Sequence, residues 1–442
     1  MRELFDEAKR RHATYYEKVM RRADDSYLMG GDFLTAGLAL LEQEWPNIAM
    51  AQEWAQANAE RDETAARFSV AYPDSGSSVL ELRIHPQERI EWLTIALCAA
   101  RRSHDQSAEA RHLINLAMAY SSLTQSRQAI EHYEQALAIM CETGNRTGEA
   151  AVLINAGLDY AFIGETDRAV EAYTRALAIS RDLGDRRAEG HALSNLGLTL
   201  FSSGRTARAI ELFTAALRIN REVGNRRGEA CALGNLGLSF LRMKKTGQAA
   251  DNFEMALSIN REIGNRSGEG MALGNLGNIH YSLGNPNKAL EYHHAALAIS
   301  RKLGDKTSEA QDLGNIGTAL AELGQREQAI SLFMKQLALA HETGDWRSGG
   351  VALTNLGDAH VKAGDYERGI DLYRKRMALA RDKGDLRGEA HALFKMGLAY
   401  RSCNRKDEAG THFQTAMHIF AELEDPLVNE VQSALQALRS CT

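Results

Sequence analysis

The sequence predicts an all-α fold, a solenoid of stacked helix-turn-helix units, on three observations. Near-copies of the stretch Ala230 to Phe240 return every 40 residues, so that Asn235 is matched by Asn115, Asn155, Asn195, Asn275, Asn315 and Asn355 before the series breaks at Lys395. A Gly-Asn or Gly-Asp corner returns at the same interval, and so do a small residue and an aromatic one. A period of this size marks supersecondary units that bury their apolar faces only by stacking on one another. Function is then sought on a surface that the array builds.

The bulk composition fits. Of 442 residues 44% are apolar and 25% charged, with a formal net charge of −6, which argues against disorder. The mild acidity argues against nucleic acid as main partner, because such surfaces carry a basic excess. Cys98, Cys141, Cys231, Cys403 and Cys441 are scattered, odd in number and without a CxxC pair, which predicts reduced thiols in a cytoplasm. The opening MRELFDEAKRRH has no apolar run of signal-peptide length, and no long uncharged apolar segment follows, so no membrane insertion is expected.

Residues 1–104 read as a divergent helical region. RHATYYEKVMRRA, LTAGLALLEQEWPNIAMAQEWAQAN and ERDETAARFSVAY have helical apolar spacing without the repeat. The Pro- and Gly-bearing stretch 71–79 reads as a loop inside an atypical first helical pair. A helix from Pro86 to Arg102 closes that pair, proline suiting a first helical turn.

Eight units span 105–424. They open at Asp105, Asn145, Asp185, Asn225, Asn265, Asp305, Asp345 and Asp385, each able to cap a helix through its side-chain oxygen. Seven of these follow a glycine, Gly144 to Gly384, suited to the left-handed turn that ends the preceding helix. Small residues recur in each first helix (Ala117, Gly157 to Gly397 in steps of 40) and in each second helix (Ala129 to Ala409). An aromatic follows at Tyr133, Tyr173, Phe213, Phe253, Phe333, Tyr373 and Phe413, with His293 the exception. Small residues set helix spacing and large ones fill the gap. Gln336 and Arg376 replace a late small residue, which predicts looser or altered packing there. Residues 425–442 read as a capping helix begun by Pro426 and covering the apolar face of the eighth unit.

The pattern L-G-x-x-[YF], Ala, aromatic, Ala over about 105–424 resembles the tetratricopeptide repeat (TPR). The extra G-[ND]-R-x-G-E-A segment, Gly224 to Ala230, is similar to the 40-residue variety of the LGN/Pins cell-polarity adaptors and of bacterial sensor proteins. RHATYYEKVM with LLEQEWPNIAMAQEW resembles the segment that joins STAND-type signalling ATPases to their TPR sensors, although no Gly-Lys dipeptide, hence no Walker A loop, is present. The resemblance implies a right-handed solenoid whose first helices line a concave wall.

Within a first helix, Leu233, Leu236, Gly237 and Phe240 form one stripe, assigned to the core; Cys231, Asn235, Leu238 and Arg242 form a second. By resemblance the second stripe faces the groove. Residues in the columns of Cys231 and Leu238 drift from unit to unit, Leu238 becoming Asn278, while the amide stays. Asn is a mediocre mid-helix residue, so its retention needs a cause. A primary amide can pair with both C=O and N–H of an extended peptide, and the resemblance implies that Asn115, Asn155, Asn195, Asn235, Asn275, Asn315 and Asn355 form such a ladder. Alternatively, each amide ties its unit to the next. Gly234, Gly274 and Gly314 precede their Asn and would let another backbone approach, which places the main contact zone in units four to six; repeat duplication also explains them.

Arg146, Arg186, Arg226, Arg266, Arg347 and Arg387 with Glu149, Glu229, Glu269 and Glu389 read as a solvated ion-pair row or a docking strip for an acidic partner. His280, His293 and His294 read as packing histidines or as a metal or pH-sensing cluster. No HExxH, GxSxG or Cys set at metal spacing occurs, so neither catalysis nor a cofactor is expected. The sequence thus predicts a non-enzymatic adaptor or sensor that binds an extended or helical segment of another protein. A regulatory sensor of a STAND-type NTPase or transcription regulator and a self-assembling structural repeat are the other readings.

Overall fold

The structure is a computed structural model describing residues 2–29 and 31–440. Among the described residues there are 22 α-helices and no strand. They form two compact units, Met1–Gly228 and Glu229–Thr442.

The first unit begins with α1 (Arg2–Met29), α2 (Gly31–Asn58), α3 (Glu63–Ser75), α4 (Ser77–Arg83) and α5 (Pro86–Arg102), the last with its proline in the first turn as expected. Ala13, Met20, Leu41, Ile48, Phe68, Tyr72 and Trp92 share one core, and Trp45 stacks on Trp92 with ring centroids 6.0 Å apart. The stretch 71–79, expected as a loop, is helical apart from Gly76. Tertiary contacts override its turn signals. The buried Tyr72 hydroxyl donates to the Ala13 carbonyl at 2.9 Å. Asp24 of α1 accepts from the N–H groups of Ser78 and Val79, both at 2.9 Å, and so caps α4 from a distance. A Cβ on Gly76 would lie 2.2 Å from the buried Met20 methyl, which would have to shift.

The paired helices follow. They are α6 (Gln106–Ser122) with α7 (Ser126–Glu142), α8 (Arg146–Phe162) with α9 (Thr166–Leu183), α10 (Arg186–Ser202) with α11 (Thr206–Glu222), and α12 (Arg226–Arg242) with α13 (Thr246–Glu262). Then come α14 (Arg266–Ser282) with α15 (Pro286–Leu303), α16 (Lys306–Glu322) with α17 (Arg326–Thr343), α18 (Trp346–Lys362) with α19 (Tyr366–Asp382), and α20 (Leu386–Ser402) with α21 (Lys406–Glu422). All eight opening Asp or Asn side chains accept an N–H of their helix's first turn, from Asp105 with Ala108 to Asp385 with Gly388. The seven corner glycines have φ between 66° and 69°, the left-handed region where a side chain is strained.

Inside a pair, the first helix's small residue seats the second helix's aromatic. A Cβ on Gly157, Gly197, Gly237, Gly317, Gly357 or Gly397 would meet the ring of Tyr173, Phe213, Phe253, Phe333, Tyr373 or Phe413 at 2.4–2.7 Å. His293 fills the same seat over Gly277 and is pushed down to about 4 by burial. His280 stacks on Tyr292 and His294 is exposed, so the three histidines pack separately.

The replaced small residues alter the packing. Buried Gln336 fills the space over Gly314 and donates to the Ser348 hydroxyl at 3.3 Å. Arg376 fills the space over Gly350 and pairs with Asp385 at 2.7 Å.

The Arg/Glu row is likewise more than a solvated strip. Side chains of Glu149, Glu189 and Glu269 are only 2–8% exposed. An arginine eight residues upstream, ending the preceding second helix, clamps the glutamate onto its own helix: Arg181 to Glu189 and Arg261 to Glu269, both 2.8 Å. Cys141 stands where that arginine would be for Glu149, and Arg175 takes over at 2.5 Å. Arg387 departs from the row, pairing with Asp425 at 2.6 Å.

Asp425 lies 40 residues after Asp385 and accepts the Leu427 N–H at 3.0 Å, so α22 (Leu427–Ser440) starts as another first helix would. Its Val431, Leu435 and Leu438 pack with Phe413 and Phe420 in one core, covering the face of α20 and α21.

Candidate peptide-binding face

The core stripe and the second stripe separate in the structure. Leu233, Leu236 and Gly237 are buried, whereas Cys231, Leu238 and Arg242 are exposed and Asn235 is half-buried between them. All seven Asn of the series are half-buried in this manner. Among the described residues only Asn275 makes a side-chain hydrogen bond, donating to the Met271 carbonyl one turn back at 3.0 Å. Among the described residues no side-chain hydrogen bond of the seven amides reaches the next helix pair.

The second unit has two adjacent pockets on this face. One, of about 240 Å³, is walled by Cys231, Gly234, Asn235, Leu238, Met271 and Asn275, with Phe253 and Ala256 among its floor residues. The other, of about 280 Å³, lies along α14 and α16 and is lined by Gly274, Asn275, Asn278, Gln311, Asp312 and Asn315, with Ser300 of α15 behind. Met271 and Asn275 belong to both. Arg242, one turn beyond Leu238, lines neither.

The glycines divide. A Cβ on Gly234 or Gly274 would meet nothing within 4 Å, so these positions are open. Gly314 corrects the expectation: its missing side chain makes room for the Gln336 amide, 2.6 Å from where a Cβ would stand, rather than for another chain.

Asn355 lies in a third pocket with Thr354, Arg376 and His391. Where the series breaks, Lys395 pairs with Asp358 at 2.9 Å, and Asp358 also accepts the Tyr373 hydroxyl at 2.5 Å. That column is closed by internal partners. In the first unit Asn115, Asn155 and Asn195 hold the same half-buried place on α6, α8 and α10.

Asp312 was not singled out by its sequence. Its column holds His112 and Val152 and then Ala192, Ala232, Ala272, Ala352 and Ala392. The acid is 7% exposed, its Oδ2 accepts the Ser300 hydroxyl at 3.0 Å, and burial pushes it up to about 7, the charges of Asp305 and Glu309 adding to the rise. Asp305, held by the Ser308 N–H and hydroxyl, stays below its ordinary value.

Among the described residues no group of three or more His, Cys, Asp or Glu could hold a metal ion, and no helix is long and apolar enough to cross a membrane. Four cysteines are free, Cys98, Cys141 and Cys231 being exposed; Cys441 lies outside the described residues.

Capped helical pairs that repeat every 40 residues define a helical-repeat protein. A tetratricopeptide repeat family model matches residues 109–182, 189–262 and 269–346, over half of the chain, and two further models of the repeat match 154–222 and 352–387. The chain belongs to the tetratricopeptide repeat family, which supports a role in protein interaction. Its fold is similar to a signal transduction ATPase with numerous domains (STAND) that has a tetratricopeptide repeat sensor, from Pyrococcus horikoshii. The TM-score is 0.60 at 12% identity, covering 84% of this chain and 55% of that one, so this chain spans about half the ATPase's length. Aspartyl phosphate phosphatase F from Bacillus subtilis gives 0.55 at 15% identity over 82% and 94% of the two chains. The apo form of RapI gives 0.53 at 19% identity over 62% and 98%. These likenesses are of fold alone. Nothing among curated proteins matches the chain.

Proposed function

We propose that this protein is a non-catalytic interaction module that holds a segment of a partner protein along α12, α14 and α16. The amides of Asn235, Asn275 and Asn315 pair with the segment's main chain, and the residues in the drifting columns, Cys231, Leu238, Met271 and Asn278, select its side chains. The observation that carries this reading is the availability of the amides. They are half-buried, beside pockets, and six of the seven make no hydrogen bond within the described chain. Each rung contributes about 0.5–1.5 kcal/mol net, part of which ordering the segment offsets, so several rungs act together.

The test is the triple variant Asn235→Ala, Asn275→Ala, Asn315→Ala beside the intact protein. Alanine is the better helix former by several tenths of a kcal/mol per site, so the variant is expected to melt within a few degrees of the parent or above it. Binding of a partner captured from native lysate is expected to weaken about tenfold or more. Unchanged capture would place the binding surface elsewhere, and unchanged capture with a sharply lowered melting temperature would mean that the amides hold the stack together.

A further inference from the structure

We propose that the pocket along α14 and α16 receives one cationic side chain, Lys or Arg, of the bound segment, with Asp312 as its counter-ion. The inference rests on the peptide-binding reading above and adds the chemistry of the residue selected.

Five other units place alanine in the column of Asp312, so an acid is not needed there for packing, and burying one without a cation is costly. Oδ2 takes the Ser300 hydroxyl, while Oδ1 has no hydrogen-bond partner and no Lys, Arg or His lies within ion-pair distance of the carboxyl among the described residues. The neighbouring cations are committed elsewhere, Arg301 to Glu309 at 2.7 Å and Lys306 to Glu342 at 2.5 Å.

The pocket itself is short of positive charge. It is lined by two carboxylates, Asp305 and Asp312, and by no Lys, Arg or His. Its other polar atoms include the amides of Asn275, Asn278 and Asn315, whose oxygens can accept from an ammonium or guanidinium. Met271, Ile299 and Leu303 add apolar wall for the methylene stem that Lys and Arg bury while their charged ends are paired. About 280 Å³ suits one long side chain. The adjoining pocket, walled by Cys231, Leu238 and Met271, is the apolar neighbour, so the segment carries an apolar residue beside its basic one.

A random heptapeptide library displayed on phage, panned at pH 8 on the full chain and in parallel on Asp312→Asn, tests this. The wild type is expected to enrich peptides with Lys or Arg at one fixed position, and the variant to enrich groove-binding peptides without it. A fluorescein-labelled peptide from the wild-type pool is then titrated beside its copy with norleucine for the basic residue. That replacement, or Asp312→Asn, is expected to weaken binding about ten- to a hundredfold. The norleucine peptide keeps the test valid if the variant folds poorly. Enriched peptides indifferent to charge overturn the cation pocket and leave the groove standing. Enrichment by neither protein overturns the groove, and the pocket with it.

Discussion

Asp312→Ala should stabilise the protein at pH 8 and cease to do so in acid. Burial lifts this carboxyl to about 7 in the folded chain, against about 4 unfolded. Between those values the folded state holds a proton that the unfolded state has released, so stability falls as pH rises from about 4 to about 7. The cost is complete above 7 and absent below 4. A shift of about three units at about 1.4 kcal/mol each gives an upper bound of roughly 4 kcal/mol. Because Asp312 lines a pocket open to solvent, its charge is partly screened, which brings the expectation to about 2 kcal/mol. Ser300 is not orphaned by the change, since its hydroxyl also reaches the Ala296 and Leu297 carbonyls. Urea unfolding at pH 8, 6.5 and 5, with hydrogen exchange of the α16 amides to localise the effect, measures the difference. The alanine variant should lead by about 2 kcal/mol at pH 8, and the gap should narrow at each lower pH. A gap independent of pH, or a more stable wild type at pH 8, would refute the reasoning.

Two further outcomes follow from contacts in the second unit. Gly237→Ala forces a methyl to within 2.7 Å of the Phe253 ring and should cost about 1–3 kcal/mol; Gly234→Ala meets nothing within 4 Å and should gain about 0.5–1 kcal/mol by helix propensity. Thermal melts of the two variants should therefore move in opposite directions. For Glu269, burial works against ionisation, but hydrogen bonds from Arg261 and Arg266 outweigh it and hold the carboxyl below its ordinary value. Glu269→Gln should cost about 1 kcal/mol at neutral pH. Because the folded value is the lower one, that difference should shrink as pH falls through about 4.5 and below, and urea midpoints at pH 7 and pH 3.5 would check it.

What was legible in the sequence depended on how far each cause reaches along the chain. Corners could be read because an Asn or Asp cap and a left-handed glycine act within a few residues. The small and aromatic columns could be read because the same contact, sixteen residues apart, is made again in every unit. Residues 71–79 could not, because the partners that make them helical, Ala13, Met20 and Asp24, sit 54 to 59 residues away without a repeat to show the pairing. The same limit explains Gly314, whose neighbour on the face, Asn315, suggested an opening while its true partner, Gln336, came from the following helix. Yet large residues in a small column do carry a signal. Gln336 coincides with glycine at 314 and Arg376 with glycine at 350, so an enlargement in one column is met by a deletion in another. Asp312 breaks an alanine column too, and no cation among the described residues pairs with its charge. A deviation that the fold answers from within alters packing; one left unanswered points outward, to a partner that supplies the missing cation.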